Sequence, residues 1–332
     1  MAGNPPTDVT AAPLVPEDNW ADDDSAYDAG SIATSTTSLN ESVLKYRQEN
    51  GRSYHSYKDG KYLVPNDEGE NDRLDLQHHA FYLTFSNKLF LCPIGPETPL
   101  RRVLDVGTGT GIWAIDFADE HPESEVLGVD LSPIQPSFIP PNLVFQVDDV
   151  EEPWTYSSKF DFIYCRAMTG SIVDWPRLFK RSFDNLADGG FFEITDIAFP
   201  IMTDDDSFPP DSALKKWSDL VVQGFATIGR DLVSAVNNKA LVTEAGFSNV
   251  KEYRYKWPLN RWPKDPAAKE LGMWAHENLS GGIEGISLAI FTRVLGWSRE
   301  EMDVFLVDVR KELKDRNIHS YMQVIVVYGQ KL

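Results

Sequence analysis

Through the middle of the chain, apolar and polar positions recur with two periods in turn, and each switch marks an element. At 102–106 a short β-branched run, Arg102-Val103-Leu104-Asp105-Val106, is followed by glycines at 107, 109 and 111. The apolar spacing then becomes helical at Ile112, Ile115 and Phe117. This predicts a strand, a tight loop and a helix over 112–120. Later apolar runs predict strands at 125–130, 143–147, 160–165 and 191–197, with a helix over 175–186 stopped by Asp188-Gly189-Gly190. Strands alternating with helices give an α/β fold on a parallel, doubly wound sheet, with ligand sites at the carboxyl ends of its strands.

The flanks read differently. Leu39, Val43, Leu44 and Tyr46 have helical spacing, and Asn50-Gly51-Arg52-Ser53-Tyr54-His55 opens a segment to 62 with three tyrosines between glycine turns. That segment suits a cap over a ligand, or surface aromatic packing around a turn. Leu74, His78, Phe81, Phe85 and Leu89 then predict a helix of about twenty residues behind Asn71 as N-cap. Neither His78 nor His79 has a second His or Cys at i+4, so no metal site is expected. Beyond the sheet, Leu214, Trp217, Leu220, Val221 and Phe225 mark an amphipathic helix, 241–247 closes another on Gly246, and 249–257 and 321–328 alternate as strands. Between those two strands lies an insertion of about fifty residues. Its second helix opens on the capping box Ser298-Arg299-Glu300-Glu301 and buries Met302, Phe305, Leu306, Val309 and Leu313. Trp217, Phe225, Trp274, Phe291 and Trp297, all outside the sheet core, suit an acceptor pocket, a protein interface or plain packing of the added helices.

Composition narrows the class. The chain has 332 residues and a formal net charge of −20, a field that repels phosphates and disfavours direct nucleic-acid binding while attracting basic partners. The first forty residues hold seven acids, among them Asp8 and Glu17, and no Lys or Arg. Rich in Pro, Ala, Ser and Thr with few large apolar groups, residues 1–37 are expected to be disordered, with Ser35, Thr36, Thr37 and Ser38 as solvated linker or phosphorylation sites. No apolar run approaches a bilayer span and the start lacks the pattern of a secretory signal, so a cytoplasmic or nuclear location is expected. Cys92 and Cys165, the only cysteines, read as two buried thiols.

The glycine loop carries the chemistry. Without Cβ atoms, Gly107, Gly109 and Gly111 let a ligand lie against backbone near the amides that open the helix. A dinucleotide fingerprint needs its third glycine where Ile112 stands, which argues against NAD. Asp130 ends the second strand, a second acid at a strand end. This pattern resembles motif I of class I S-adenosylmethionine methyltransferases, in which Asp130 would accept from both ribose hydroxyls of the cofactor. The resemblance implies a Rossmann-like seven-stranded sheet in which Asp105 faces the methionine end of the cofactor. Gly107, Thr108, Gly109, Gly111 and Leu131 would line the cofactor, and an acid of Asp148-Asp149-Val150 would take the adenine amine. Arg166 either orients a carboxylate or cofactor group or pairs with Asp148 or Asp149.

Asn50-Gly51-Arg52-Ser53-Tyr54-His55, Pro65-Asn66-Asp67, Asp72-Arg73-Leu74-Asp75-Leu76-Gln77-His78-His79, the run 104–113 and Tyr164-Cys165-Arg166 together resemble the fungal LaeA-like methyltransferases, including the VipC and VapB subgroup. The resemblance implies a cap over 38–98, with Arg52, Tyr54 and His55 closing on cofactor, and a methyltransferase domain over 99–332 with helical additions at about 205–232 and 264–317. It also implies a role in fungal development or secondary metabolism, or methylation of a metabolite. The partner it implies is a related methyltransferase or velvet-type protein, or a second copy. A cofactor-binding regulatory subunit with little activity of its own is the alternative. Cys165-Arg166-Ala167-Met168-Thr169 stands where nucleobase-amine methyltransferases carry Asn-Pro-Pro-Tyr, and no catalytic base is identified.

Overall fold

The computed structural model describes residues 8–17, 46–55, 57–58, 61, 63–95, 98 and 100–332. A short strand β1 (Val9–Thr10) and the hairpin β2 (Arg47–Glu49) and β3 (Arg52–Tyr54) precede helix α1 (Glu68–Thr84). The sheet then builds from β4 (Arg102–Val106), β5 (Glu125–Asp130), β6 (Leu143–Val147), β7 (Phe160–Arg166) and β8 (Leu186–Met202), with α2 (Ile112–Glu120) after β4 and α3 (Trp175–Asn185) before β8. Helices α4 (Ala213–Thr227) and α5 (Asn238–Glu244) lead to β9 (Ser248–Pro258). Finally α6 (Pro266–Ala289) and α7 (Arg299–Lys314) lead to β10 (Tyr321–Gln330).

The strands lie in the order β1-β9-β10-β8-β7-β4-β5-β6. Neighbours from β6 to β8 run parallel, while β10 is antiparallel to both β8 and β9. The chain leaves β4 toward β5 on one side and returns to β7 on the other, so a crevice opens at the carboxyl ends of β4 and β7. Trp113 of α2 fixes one wall by stacking on Tyr164 of β7, with ring centroids 4.0 Å apart.

A second layer of helices, α1, α4, α6 and α7, covers the other end of the sheet around the fully buried Trp217 and Trp257. Each indole N–H finds an acceptor: Trp217 donates to Ser287 Oγ and Trp257 to Thr84 Oγ1, both at 2.7 Å. Glu312 of α7 accepts from the amides of Ala213 and Leu214, both at 2.9 Å, and from Ser212 Oγ at 2.6 Å. One carboxylate thus satisfies the opening turn of α4 and ties it to α7. Trp217, Phe225 and Phe291 are buried, Trp297 packs edge-on to Phe291 and Trp274 edge-on to His79. Packing of the added helices therefore accounts for Trp217, Trp274, Phe291 and Trp297, whereas Phe225 also lines a chamber.

Four expectations are corrected. Residues 8–17 are ordered: β1 pairs parallel with β9, Ala11 N donates to Arg254 O at 2.8 Å, and Asp8 and Glu17 meet Lys239 and Lys269. The rest of the tail, including Ser35 to Ser38, and the helix expected from Leu39 to Leu44 lie outside the described residues; at Arg47 the chain is already strand. β1 makes the sheet eight-stranded rather than seven-stranded. Helix α1 begins four residues earlier than expected, capped by Asp67, whose side chain accepts from Glu70 N at 3.2 Å, rather than by Asn71. The fifth strand starts at Leu186 instead of 191, because Gly189 N donates to Lys331 O at 2.7 Å and keeps the Asp188-Gly189-Gly190 segment in the sheet. The capping box at Ser298 and Glu301 is present as expected.

Candidate active site

β4 ends where its buried apolar residues give way to Gly107-Thr108-Gly109-Thr110-Gly111, and the loop is held to β5 by bonds from the amides of Gly107 and Thr108 to Val129 O at 2.9 and 3.0 Å. Gly109 has a φ of +57°, and a Cβ placed there would meet nothing nearer than Leu74 Cδ1 at 3.7 Å. Its backbone therefore borders open space. At Gly111, φ is +84° and a Cβ would stand 2.3 Å from the Phe145 ring, so this glycine serves the close packing of α2 on β6.

Two acids face this loop. Asp105 is buried and accepts from Thr108 Oγ1 at 2.6 Å. Burial pushes its carboxyl up to about 6 against the opposing pull of the Thr108 bond. Asp130 accepts from Gly109 N through Oδ2 and from Ser132 N through Oδ1, both at 2.9 Å. Burial raises it too, the two amides opposing.

These groups line a cleft of about 1030 Å³, counted to its open mouth, with Asn66, Asn71, Leu74 and Gln77 forming the opposite wall from the start of α1. Asn66 Nδ2 and Asn71 Oδ1 are buried there without a hydrogen-bond partner among the described residues. Exposed glycine backbone, two carboxylates and unfilled amide groups fit a ligand carrying hydroxyls, a carboxylate and an ammonium group.

Arg166, at the end of β7, also lines the cleft. Its Nη2 lies 2.9 Å from His78 Nδ1, and its guanidinium stands over the Phe81 ring at 5.0 Å. A guanidinium only donates, so Nδ1 accepts and the ring proton sits on Nε2, 3.0 Å from Asp116 Oδ2. Burial lowers the His78 pKa, with Asp116 opposing, which agrees with a neutral ring.

A second chamber of about 770 Å³ shares Leu74, Gln77 and Ala167 with the first. Its walls are largely apolar, including Phe199, Val221, Phe225 and Leu279, with Arg73, Asn278, Thr169 and Asp196 as polar members.

The structure thus brings Asp105, Gly107, Thr108, Gly109, Asp130, Leu131, Asp148, Val150 and Arg166 to one cleft. Five predicted residues lie outside its lining. Gly111 packs on Phe145, and Asp149 pairs with Lys61. Arg52 pairs with Asp67 through Nε at 2.5 Å and Nη2 at 2.9 Å. Tyr54 is buried under the Arg293 guanidinium, and His55 is buried with Nδ1 2.7 Å from Tyr57 O. Arg166 bonds to His78 rather than to Asp148 or Asp149. Sequence reasoning missed Asn71, Leu74 and Gln77 as a cleft wall, although their spacing places them on one face of a helix, and it missed His78 as the partner of Arg166.

The comparisons agree with this geometry. Residues 76–252 match a family model described as a methyltransferase domain. The chain is 41% identical over 307 residues to the methyltransferase pytC of Aspergillus terreus, covering 92% of this chain and 94% of that one. It is 37% identical over 303 residues to the secondary metabolism regulator laeA of Aspergillus fumigatus, covering 90% and 80%. To the protein-methionine methyltransferase laeA of Emericella nidulans it is 35% identical over 290 residues, covering 86% and 77%. The strand-end acids, the glycine loop and these matches place the chain in the LaeA-like family of methyltransferases, with S-adenosylmethionine as methyl donor.

Proposed function

We propose that the cleft at the ends of β4 and β5 seats S-adenosylmethionine, and that the chain methylates a small acceptor within fungal secondary metabolism. The observation that carries the second part is the apolar chamber that adjoins the cleft across Leu74, Gln77 and Ala167. When bound, the cofactor supplies a methyl group already activated by its sulfonium. The chain's own residues then have to bind, align and exclude water. Asp130 would accept from the ribose hydroxyls, the backbone at Gly107 and Gly109 would hold the methionine portion, and Asp105 and Asn71 would serve its polar end. Asp148 and Val150 would hold the adenine. Arg166, fixed by His78, would offer its remaining N–H groups to the cofactor carboxylate.

Titration calorimetry tests the seat. Wild type binds S-adenosylmethionine, and Gly109→Val, which sets a branched side chain into the open space at a positive φ, abolishes binding while the circular dichroism spectrum stays that of a folded α/β protein. Unchanged affinity in that variant removes Gly109 from the seat.

The finer reading is association with a related methyltransferase, a velvet-type protein or a second copy. It is supported by the regulator naming of one relative and by the outer face of α7, where Val304 and Val307 are exposed. Light scattering of the chain alone and after co-expression with such a protein gives a larger species if the reading holds; a monomer in both preparations defeats it. Turnover by that monomer would also set aside the regulatory-subunit alternative.

A further inference from the structure

Among the polar members of the second chamber, Asp196 is fully buried on β8. Its Oδ1 accepts from Thr169 N at 2.8 Å, whereas Oδ2 has no hydrogen-bond partner among the described residues, and neither has the neighbouring Thr169 Oγ1. A buried carboxylate oxygen without a donor costs free energy unless a ligand supplies one. Arg73, the cation of the same chamber, is not turned to it: Nε and Nη2 bond to Glu70 at 3.0 and 2.6 Å, and Nη1 to Asn278 Oδ1 at 2.7 Å.

We infer that Asp196 is the general base of this enzyme and that the chamber takes an aromatic acceptor carrying a phenolic hydroxyl, which donates to Asp196 Oδ2. The inference rests on the chain being an S-adenosylmethionine-dependent methyltransferase. The O–H proton passes to Oδ2 and the freed electron pair on oxygen forms the new bond to the methyl carbon. The sulfur–methyl bond breaks, its electrons remain on sulfur, and the sulfonium becomes a neutral thioether. Asp196 afterwards returns its proton to water through the open mouth.

The acceptor class follows from matching acidities. Burial pushes Asp196 up to about 7, with Thr169 opposing, which makes it a stronger base than an exposed carboxylate. A phenol near 10, the value of a tyrosine side chain, is within its reach, whereas an aliphatic alcohol is far weaker as an acid. Phe199, Phe225, Leu232 and Met322 suit a flat apolar body.

The test uses the full chain with 1-naphthol, 1-naphthylamine and 1-methylnaphthalene as probes, and S-adenosylmethionine affinity is measured in the same samples. With the demethylated cofactor S-adenosylhomocysteine present, equilibrium dialysis should show 1-naphthol bound at least about tenfold more tightly than 1-methylnaphthalene, the scale of one net hydrogen bond. Label from S-adenosylmethionine should pass to 1-naphthol, and Asp196→Asn should slow that transfer by about 10²–10⁴, the usual reach of a general base, while cofactor affinity holds. Ile286→Trp, which fills the chamber from α6, should block 1-naphthol without loss of cofactor. Absence of 1-naphthol binding or transfer in a wild-type chain that binds S-adenosylmethionine overturns the inference alone. So does equal transfer by Asp196→Asn, or transfer to 1-naphthylamine in preference. Failure to bind S-adenosylmethionine would instead strike the methyltransferase reading beneath it.

Discussion

Asp130 spends both carboxylate oxygens on the amides of Gly109 and Ser132, so it shapes the loop as well as offering further lone pairs to a ligand. Asp130→Asn leaves one accepting oxygen for two amides and should weaken S-adenosylmethionine by roughly 1–3 kcal/mol, the range for a charge-assisted hydrogen bond. Calorimetry within error of wild type would remove Asp130 as ribose ligand. Asp196 gives a pH prediction of unusual sign. Its folded-state pKa lies near 7, above the reference of 3.8, because of burial. Its contribution is therefore fully present below 3.8 and lost as pH rises through about 7. Asp196→Asn, which has no charge to bury, should be more stable than wild type at pH 8 by roughly 1–3 kcal/mol and should lose that advantage near pH 4. Denaturant melts giving the same difference at both pH values would contradict the shift. The two strand-end acids were legible because an acid closing an apolar run before glycines is a local pattern. His78 was not, since its bond to Arg166 joins residues 88 positions apart and leaves no trace in spacing.

Helix α1 is the element on which the cleft wall depends, and Asp67 carries its start. The carboxylate caps Glu70 N and pairs with Arg52 of the hairpin, so a single side chain fixes the helix register and the hairpin against it. Asp67→Ala should cost about 1–2 kcal/mol in thermal or denaturant melts, the upper part of the range for an N-cap, with a loss of cofactor affinity because Asn71, Leu74 and Gln77 move with the helix. Intact affinity alongside lower stability would separate the cap from the cleft. Asn71 drew the sequence reading because a polar residue there precedes an apolar period, while Gly69 obscures the first turn. Strands β4 and β7 gave no such trouble: their continuous apolar runs, buried on both faces, hold their own boundaries. The hairpin from Arg47 to Tyr54 turns on Asn50 and Gly51, with φ values of 51° and 80°, and that dipeptide is a turn signal by itself. If this segment also covers bound cofactor, amide exchange across residues 46–58 should slow on adding S-adenosylmethionine; protection confined to the Gly107 loop would leave it structural.

At the scale of the molecule, the sheet order follows from strand alternation, but its edge does not. β1 is two residues long, carries no period that a pattern search can register, and pairs with a strand 244 positions further along the chain at Val9 and Tyr253. An acidic, Pro- and Ala-rich context points to disorder; what overrides it locally is a partner at long range, with Lys239 and Lys269 waiting for Asp8 and Glu17. Such ion pairs at the surface, exposed for Asp8 and half-buried for Glu17, add little singly. The larger consequence is that β1 occupies the outer edge of β9, which would otherwise offer unpaired backbone groups to another chain. Removing residues 1–17 should therefore lower the melting temperature by no more than about 2–4 °C, the shift that roughly 1 kcal/mol gives in a smaller chain of about 150–250 residues. It should also raise self-association, read by light scattering over increasing concentration, while S-adenosylmethionine affinity holds because the cleft lies at the ends of β4 and β5. A truncated chain that melts with wild type and stays equally monodisperse would mean that the arm neither holds the fold nor guards its edge.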